Sequence, residues 1–341
     1  MIRRHIVYRW CCFLLIMAMG GLLSDPVRAG AASDVTIEKT DFGGWSECYK
    51  VSNGAIDLVV VAEIGPRIVW FGFTGGDNEF HVWKETLGQK GGLEWLPYGG
   101  HRLWVAPEAQ PRTYYPDNVP VSAKTEGKTL RLTAPVERNP QFEGSSGVQK
   151  EILIKMDGKN SVTVIHRVTN RNVWTVDLAI WALTFMRPGG RLIVPSPEYG
   201  PHPENLLPVR TLTLWKYTEI GDPQFHWGNR YITLKQDSAR KNPNKFGVAN
   251  TEGWAAYQRD DHLFVKSHEH KSGLVYPDMG CSLEAFTNNE ILEFETLGPM
   301  IKLAPGETGE HIERWRLFKD VKATEDEDTI DREVKARVFS K

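Results

Sequence analysis

A period-two alternation of apolar and polar side chains runs through most of this 341-residue chain, and it leaves few folds open. In Ser161–Asn170, Val162, Val164, His166 and Val168 fall on one face and Thr163, Ile165, Arg167 and Thr169 on the other. In residues 151–156, Ile152, Ile154 and Met156 alternate with Glu151, Leu153 and Lys155. Comparable short runs recur at 56–62, 67–73, 176–187, 211–215, 231–236, 253–259, 262–267, 281–287, 291–297 and 310–318. Alternation over many short segments is the pattern of antiparallel strands. Asp157-Gly158 between the 149–156 and 161–170 runs is a hairpin signal. With no amphipathic helices between the runs, the expected architecture is all-β, a large antiparallel sandwich or barrel.

Three segments break the pattern. The Pro-rich stretch 188–208 reads as a long loop over a sheet edge. Residues 321–341 read as a C-terminal helical tail. Thr324-x-x-Glu327 fits a capping box, Ile330, Val334 and Val338 repeat at i, i+4, i+8, and acids lead while bases trail. The N-terminus reads as a secretory signal: Arg3, Arg4 and Arg9 precede an apolar run over 11–23 that is too short to span a membrane. Ala29-Gly30-Ala31 fits a small-x-small cleavage site. The expected organisation is therefore a signal peptide over 1–31, one β-domain over 32–320 and the tail over 321–341, in a periplasmic or secreted protein with no membrane span after processing.

Cleavage after Ala31 removes four of the 41 basic and one of the 43 acidic residues, taking the net charge from −2 to −5. That balance gives no electrostatic case for nucleic acid as a partner. Cys48 and Cys281 remain in an oxidising compartment, either as a bridge or as two separate buried thiols.

Chemistry-bearing residues are densest in 98–118 (YGGHRLWVAPEAQPRTYYPDN). Gly99 and Gly100 permit a tight turn. His101, Arg102, Trp104, Glu108, Arg112, Tyr114, Tyr115 and Asp117 then place polar groups beside flat aromatic faces. That combination suits a polyhydroxylated ring, and it equally suits a structural loop tied by its own Arg–acid pairs. A second constellation is 291–299 (ILEFETLGP), where a strand would put Glu293 and Glu295 on one face. If desolvated, two such carboxylates raise one pKa toward the range of a general base; if solvated, they are a polar face. Asp278 before Met-Gly reads as a turn residue first and a ligand second. His268-Glu-His270 lacks a third metal ligand and reads as a solvated loop, so no metal is expected. His202 and His226 sit in Pro- and Trp-rich loops as minor pocket candidates.

Several stretches together resemble the galactose mutarotase-like (aldose 1-epimerase-like) superfamily. They are YGGHRLW at 98–104 with APE at 106–108, VTVIHRVTN at 162–170, NKFG at 244–247, GWAAY at 253–257, YPD at 276–278, LEFETLGP at 292–299 and LAPGE at 303–307 leading to Trp315. The resemblance implies an antiparallel β-supersandwich that binds carbohydrate on a broad concave face without a cofactor. It implies that Arg102 grips substrate and that Glu295 is the general base with Glu293 second; the residue chemistry itself adds Trp104, Glu108 and Asp278 as binding candidates. The mid-chain strand carries Trp181 or Ala182 where the superfamily's proton-donating His is expected. His101 is then the remaining candidate donor, provided it shares a face with Glu295. The two functional expectations are a sugar epimerase or mutarotase, and a non-catalytic carbohydrate-binding or envelope interaction protein.

Overall fold

A computed structural model describes residues 34–157, 159–322 and 325–340. The segment read as a signal peptide, Gly158 of the hairpin and Thr324 of the capping box lie outside these residues.

Two antiparallel sheets carry the chain. In the first, neighbouring strands run in the order Thr36–Phe42, Trp45–Ser52, Ile56–Val61, Arg67–Phe73, His101–Ala106, Val176–Met186, Leu292–Leu297, Leu283–Thr287, Asn244–Val248 and Leu212–Leu214. Ile301–Leu303 pairs with the other end of Val176–Met186. The second sheet runs Phe225–Trp227, Tyr231–Lys235, Arg191–Pro195, Trp254–Arg259, His262–His268, Thr308–Phe318, Ser161–Asn170, Val148–Met156, Thr129–Val136 and Ser122–Glu126.

The alternation decides what each sheet buries. Val162, Val164 and Val168 face inward with Ile152, Ile154 and Met156, as their spacing requires. They meet Leu58, Val60, Leu103, Val105, Ile180 and Phe294 from the first sheet in one core. Phe71, Phe80, Phe264 and Trp315 form an aromatic cluster with centroids 5.5–5.9 Å apart, edge-to-face in every pair but the tilted Phe71–Phe80.

The Pro-rich stretch is not a plain loop. Arg191–Pro195 is an internal strand of the second sheet, paired on both sides. The three-residue run Leu192-Ile193-Val194 buries fully, and its hydrophobic burial overrides the prolines around it.

The tail is helical over residues 327–338, with a π-helical turn at Asp331–Lys335. Asp326 caps it by accepting the Thr329 N–H at 2.8 Å, two residues later than the expected cap at Thr324. Ile330 and Val334 are fully buried against Ile193, Trp254, Ala256 and Val265 on the outer face of the second sheet. The i, i+4, i+8 spacing therefore packs as expected. Cys48 and Cys281 are free, separate, buried thiols. Among the described residues no helix is long and apolar enough to cross a membrane.

Candidate functional site

The register of the first sheet brings the two sequence constellations into one row. Arg67 pairs with Arg102, Arg102 with Leu183, Leu183 with Glu295, Glu295 with Glu284, and Glu284 with Gly247. Arg102 and Glu295 thus stand two strands apart, about 10 Å in backbone terms. Both project from the outer face, opposite the core. The alternation that buries Leu292 and Phe294 inward turns Glu293 and Glu295 outward together.

The same parity separates His101 from Arg102. His101 points inward with Leu103 and Val105, so it is not on the face of Glu295 and does not serve as a proton donor there. It is fully buried between the sheets. Its Nδ1 lies 2.8 Å from Thr184 Oγ1 and its Nε2 2.7 Å from His166 Nε2. His166 Nδ1 contacts the His311 carbonyl at 3.1 Å, so that nitrogen carries the proton. His166 Nε2 then accepts from His101 Nε2–H, and both rings are neutral. Burial holds both pKa values below the usual His range.

His101, His166 and Glu313 are the one group of three possible metal ligands among the described residues. Glu313 is already engaged by Lys266 at 2.9 Å, Thr296 at 2.6 Å and Trp315 at 2.8 Å. The group is therefore a satisfied internal network rather than an open ligand set.

On the outer face a cavity of about 340 Å³ is lined by Glu108, Trp181, Trp215, Lys245, Asp278 and Glu284, with Ala109 and Gln110 at its rim. That volume lies at the small end of the range for small-molecule sites. Lys245 is its centre. Nζ lies 2.8 Å from Glu284 Oε2 and 3.2 Å from Glu295 Oε2. The ammonium also sits over the Trp181 and Trp215 rings, 4.9 and 4.6 Å from their centroids. Trp181 occupies the strand position where a His was expected, and its Nε1–H donates to Glu295 Oε2 at 2.8 Å. Glu295 Oε1 and Glu284 Oε1 are buried with no hydrogen-bond partner among the described residues. A larger hollow of about 780 Å³ around Trp70, His81, Trp83 and Glu290 holds none of the sequence-predicted residues.

Electrostatics divide the carboxylates. Burial pushes Glu284 well above the usual carboxylate range, with Lys245 opposing and Glu295 reinforcing. Burial likewise pushes Glu293 up, and the neighbouring Glu295 adds to the shift. For Lys245, burial acts to lower the pKa, but Glu295 and Glu284 outweigh it and leave it well above its ordinary value. The ammonium is therefore firmly protonated.

Arg102 lies beneath the cavity rather than in it. It is 1% exposed, stacks on Trp104 and Trp95, and contacts Asp117 Oδ2 at 3.3 Å. Arg67 shares the same Asp117 oxygen at 2.7 Å. The 98–118 stretch is thus partly tied by its own Arg–acid pairs, as one of its two readings held. Burial draws Arg102 down to about 9, which leaves it charged at neutral pH. Trp104 packs against Trp181 and Tyr114 and backs the cavity wall. Glu108 sits at the rim and accepts the Tyr114 hydroxyl. Asp278 lines the cavity from a turn in which both it and Met279 hold left-handed backbone angles, φ 50° and 63°. Non-glycine residues adopt such angles only where surroundings enforce them, often at functional positions.

Sequence reasoning missed Lys245, Trp215 and Glu284 as site residues. Lys245 alternates with core-facing Phe246, and Glu284 with Leu283 and Ala285, so a charged residue amid an apolar strand was the available signal.

No protein-family model matches the sequence, and no curated protein matches it. Solved structures do match in fold. The Slr1438 protein from Synechocystis sp. PCC 6803 aligns with a TM-score of 0.54 at 10% identity, over 83% of this chain and 99% of that one. YeaD from Salmonella typhimurium, a candidate mutarotase, aligns with a TM-score of 0.54 at 9% identity, over 84% and 96% of the two chains. A TPR-domain-containing protein from Parabacteroides distasonis aligns at 0.52 and 10% identity, but the match spans only 48% of that protein. At these identities the likeness is one of architecture: the chain shares the antiparallel β-sandwich of Slr1438 and YeaD.

Proposed function

We propose that this is an exported protein that binds carbohydrate in the outer-face cavity of the first sheet. Trp181 and Trp215 offer indole faces to the C–H side of a sugar ring. Glu108, Asp278, Glu284 and Lys245 offer acceptors and a donor to its hydroxyls. The single observation that carries the reading is Glu284, a fully buried residue that lines the cavity with two indoles and whose Oε1 has no hydrogen-bond partner among the described residues. A buried acceptor without a donor costs stability of about 1–3 kcal/mol, which a ligand hydroxyl would recover. The mutarotase-like description of YeaD supports the same class of ligand. Export rests on the N-terminal pattern, and an N-terminus at Ala32 in the purified secreted protein would confirm it. Saturation-transfer NMR over a panel of monosaccharides tests the binding. Trp215→Ala should weaken any hit about tenfold; full retention of binding in that variant removes the cavity as the site.

A second reading, sugar ring opening, is favoured by the neighbouring pair Glu293 and Glu295. Glu295 would take the anomeric hydroxyl proton while the C1–ring-oxygen bond breaks. Glu293, kept neutral by burial beside Glu295, would give its proton to the ring oxygen, and the aldehyde form would close again by the reverse transfers. Polarimetric rates that fall at least a hundredfold in both Glu295→Gln and Glu293→Gln would establish it. Rates equal to buffer in the wild type leave binding alone.

A further inference from the structure

The cavity is strongly asymmetric in charge. Glu108 and Asp278 line it as acids beside Glu284, whose pKa is held by burial well above the usual carboxylate range, and Glu295 lies behind, 3.2 Å from Lys245. Against these stands one cation, Lys245, whose ammonium is already taken by Glu284 and Glu295. Arg102 adds nothing at the wall, because it is buried under Trp104 and faces Asp117. Two further features point to an arriving cation rather than to a solvated acidic patch. Glu284 lines the cavity, is 0% exposed, and its Oε1 has no hydrogen-bond partner among the described residues. The flanking indoles of Trp181 and Trp215 already stabilise one ammonium from their faces, so the lining is built for positive charge. A metal ion fits less well, since no three of these carboxylates converge as a ligand group among the described residues.

We infer that the cavity selects an amino sugar, a hexose bearing a protonated primary amine, over neutral hexoses and against uronic acids and sugar phosphates. The inference rests on the carbohydrate-binding reading and narrows its ligand class. The amine would donate to Glu284 Oε1 with Glu108 and Asp278 within the same field. An anionic substituent would meet the carboxylates of Glu108 and Asp278, with Glu295 behind them and one occupied ammonium, so the like-charge cost falls on that class of ligand.

The test is calorimetric titration of the full mature chain at pH 6.5 with a matched set: a hexose, its 2-amino-2-deoxy analogue, the N-acetylated analogue, the uronic acid and the 6-phosphate. The amino sugar should bind roughly tenfold more tightly than the hexose, and acetylation, which removes the charge, should erase that gain. The gain should shrink from 20 to 500 mM salt, as an electrostatic preference does. Glu108→Gln combined with Asp278→Asn, both on the accessible rim and tolerable to the fold, should cut the amino-to-neutral ratio several-fold. Equal affinity for amino and neutral sugars overturns the inference while leaving carbohydrate binding intact. So does tighter binding of the uronic acid or the phosphate, or binding that requires added calcium. Failure of every sugar in the set to bind overturns both.

Discussion

Replacing Lys245 with Met keeps the length of the side chain and removes one charge from the most crowded ionic site in the protein. In the wild type the ammonium is nearly buried, contacts Glu284 and Glu295 at 2.8 and 3.2 Å, and lies over two indoles. Without it, two fully buried carboxylates face each other and Glu293 with no cation at contact distance. Removing one partner of a buried ion pair costs about 3–5 kcal/mol, because the remaining charge stays desolvated. Lys245→Met should therefore lower the unfolding free energy by that amount at pH 7.5, read from urea denaturation by tryptophan fluorescence. Glu284→Gln in the same chain removes one of the stranded charges. The double variant should be more stable than Lys245→Met alone, a sign that additive contributions cannot produce. The pH dependence gives a second handle. Stranded carboxylates have folded pKa values raised above their unfolded values, so the folded state of the variant binds more protons than the unfolded state. Its stability then rises as pH falls toward the unfolded carboxylate range. The gap between variant and wild type should thus narrow between pH 7.5 and pH 5. A loss below 1 kcal/mol, a double variant weaker than the single, or a gap that does not change with pH would refute the ionic account of the site.

Two further outcomes concern the frame around the site. Burial brings His268 down from 6.5 to about 4, and neither ring nitrogen has a partner among the described residues. A base whose folded pKa is depressed costs stability as pH falls below 6.5, so His268 alone should account for about 2.5 kcal/mol of loss between pH 7 and pH 4.5; His268→Leu should flatten the acid limb of a urea-midpoint profile by that amount, and an unchanged limb would exclude it. At the tail, Asp326→Ala removes the cap on the Thr329 N–H and should cost about 1 kcal/mol, seen as faster amide exchange over 327–330 with exchange in the sheets unchanged.

Much of this architecture was legible because alternation is a local code. Ser161–Asn170 could be divided into inner and outer residues from the sequence, and the burial follows that division except at Ile165 and Thr169, which are buried on the outer face. The same code, applied strictly, separates His101 from Arg102, since neighbours on a strand face opposite sides. The condition that His101 share a face with Glu295 therefore fails on parity, and the interior claims the imidazole. Trp181 was legible as a replacement for the expected donor but not as the group that grips Glu295, because strand neighbours are set by topology and not by sequence distance. Lys245 and Glu284 were illegible for the same reason. Each looks like an isolated charge until Asn244–Val248 and Leu283–Thr287 are laid beside Leu292–Leu297. The prolines of 188–208 hid an internal strand because turn residues speak for local backbone, whereas Leu192 and Val194 are held by the core.

The strands that build the cavity are pinned from behind. His101–Ala106 sends His101 inward to Thr184 and His166 and sends Arg102 outward to Asp117. Leu292–Leu297 sends Thr296 inward to His311 and Glu313 and sends Glu295 outward to Lys245 and Trp181. A slip of one residue in either strand would exchange its faces. Arg102 would be driven against His166, and Glu295 against the carboxylate of Glu313, with every inner hydrogen bond lost. Apolar neighbours alone would penalise such a slip weakly here, since these strands carry apolar residues on both faces, Leu103 against Trp104 and Phe294 against Leu297. The buried polar network between the sheets therefore supplies the register that hydrophobic patterning leaves loose. Its chemistry lies on the far side of the sheet from the cavity, yet it sets which carboxylates reach Lys245.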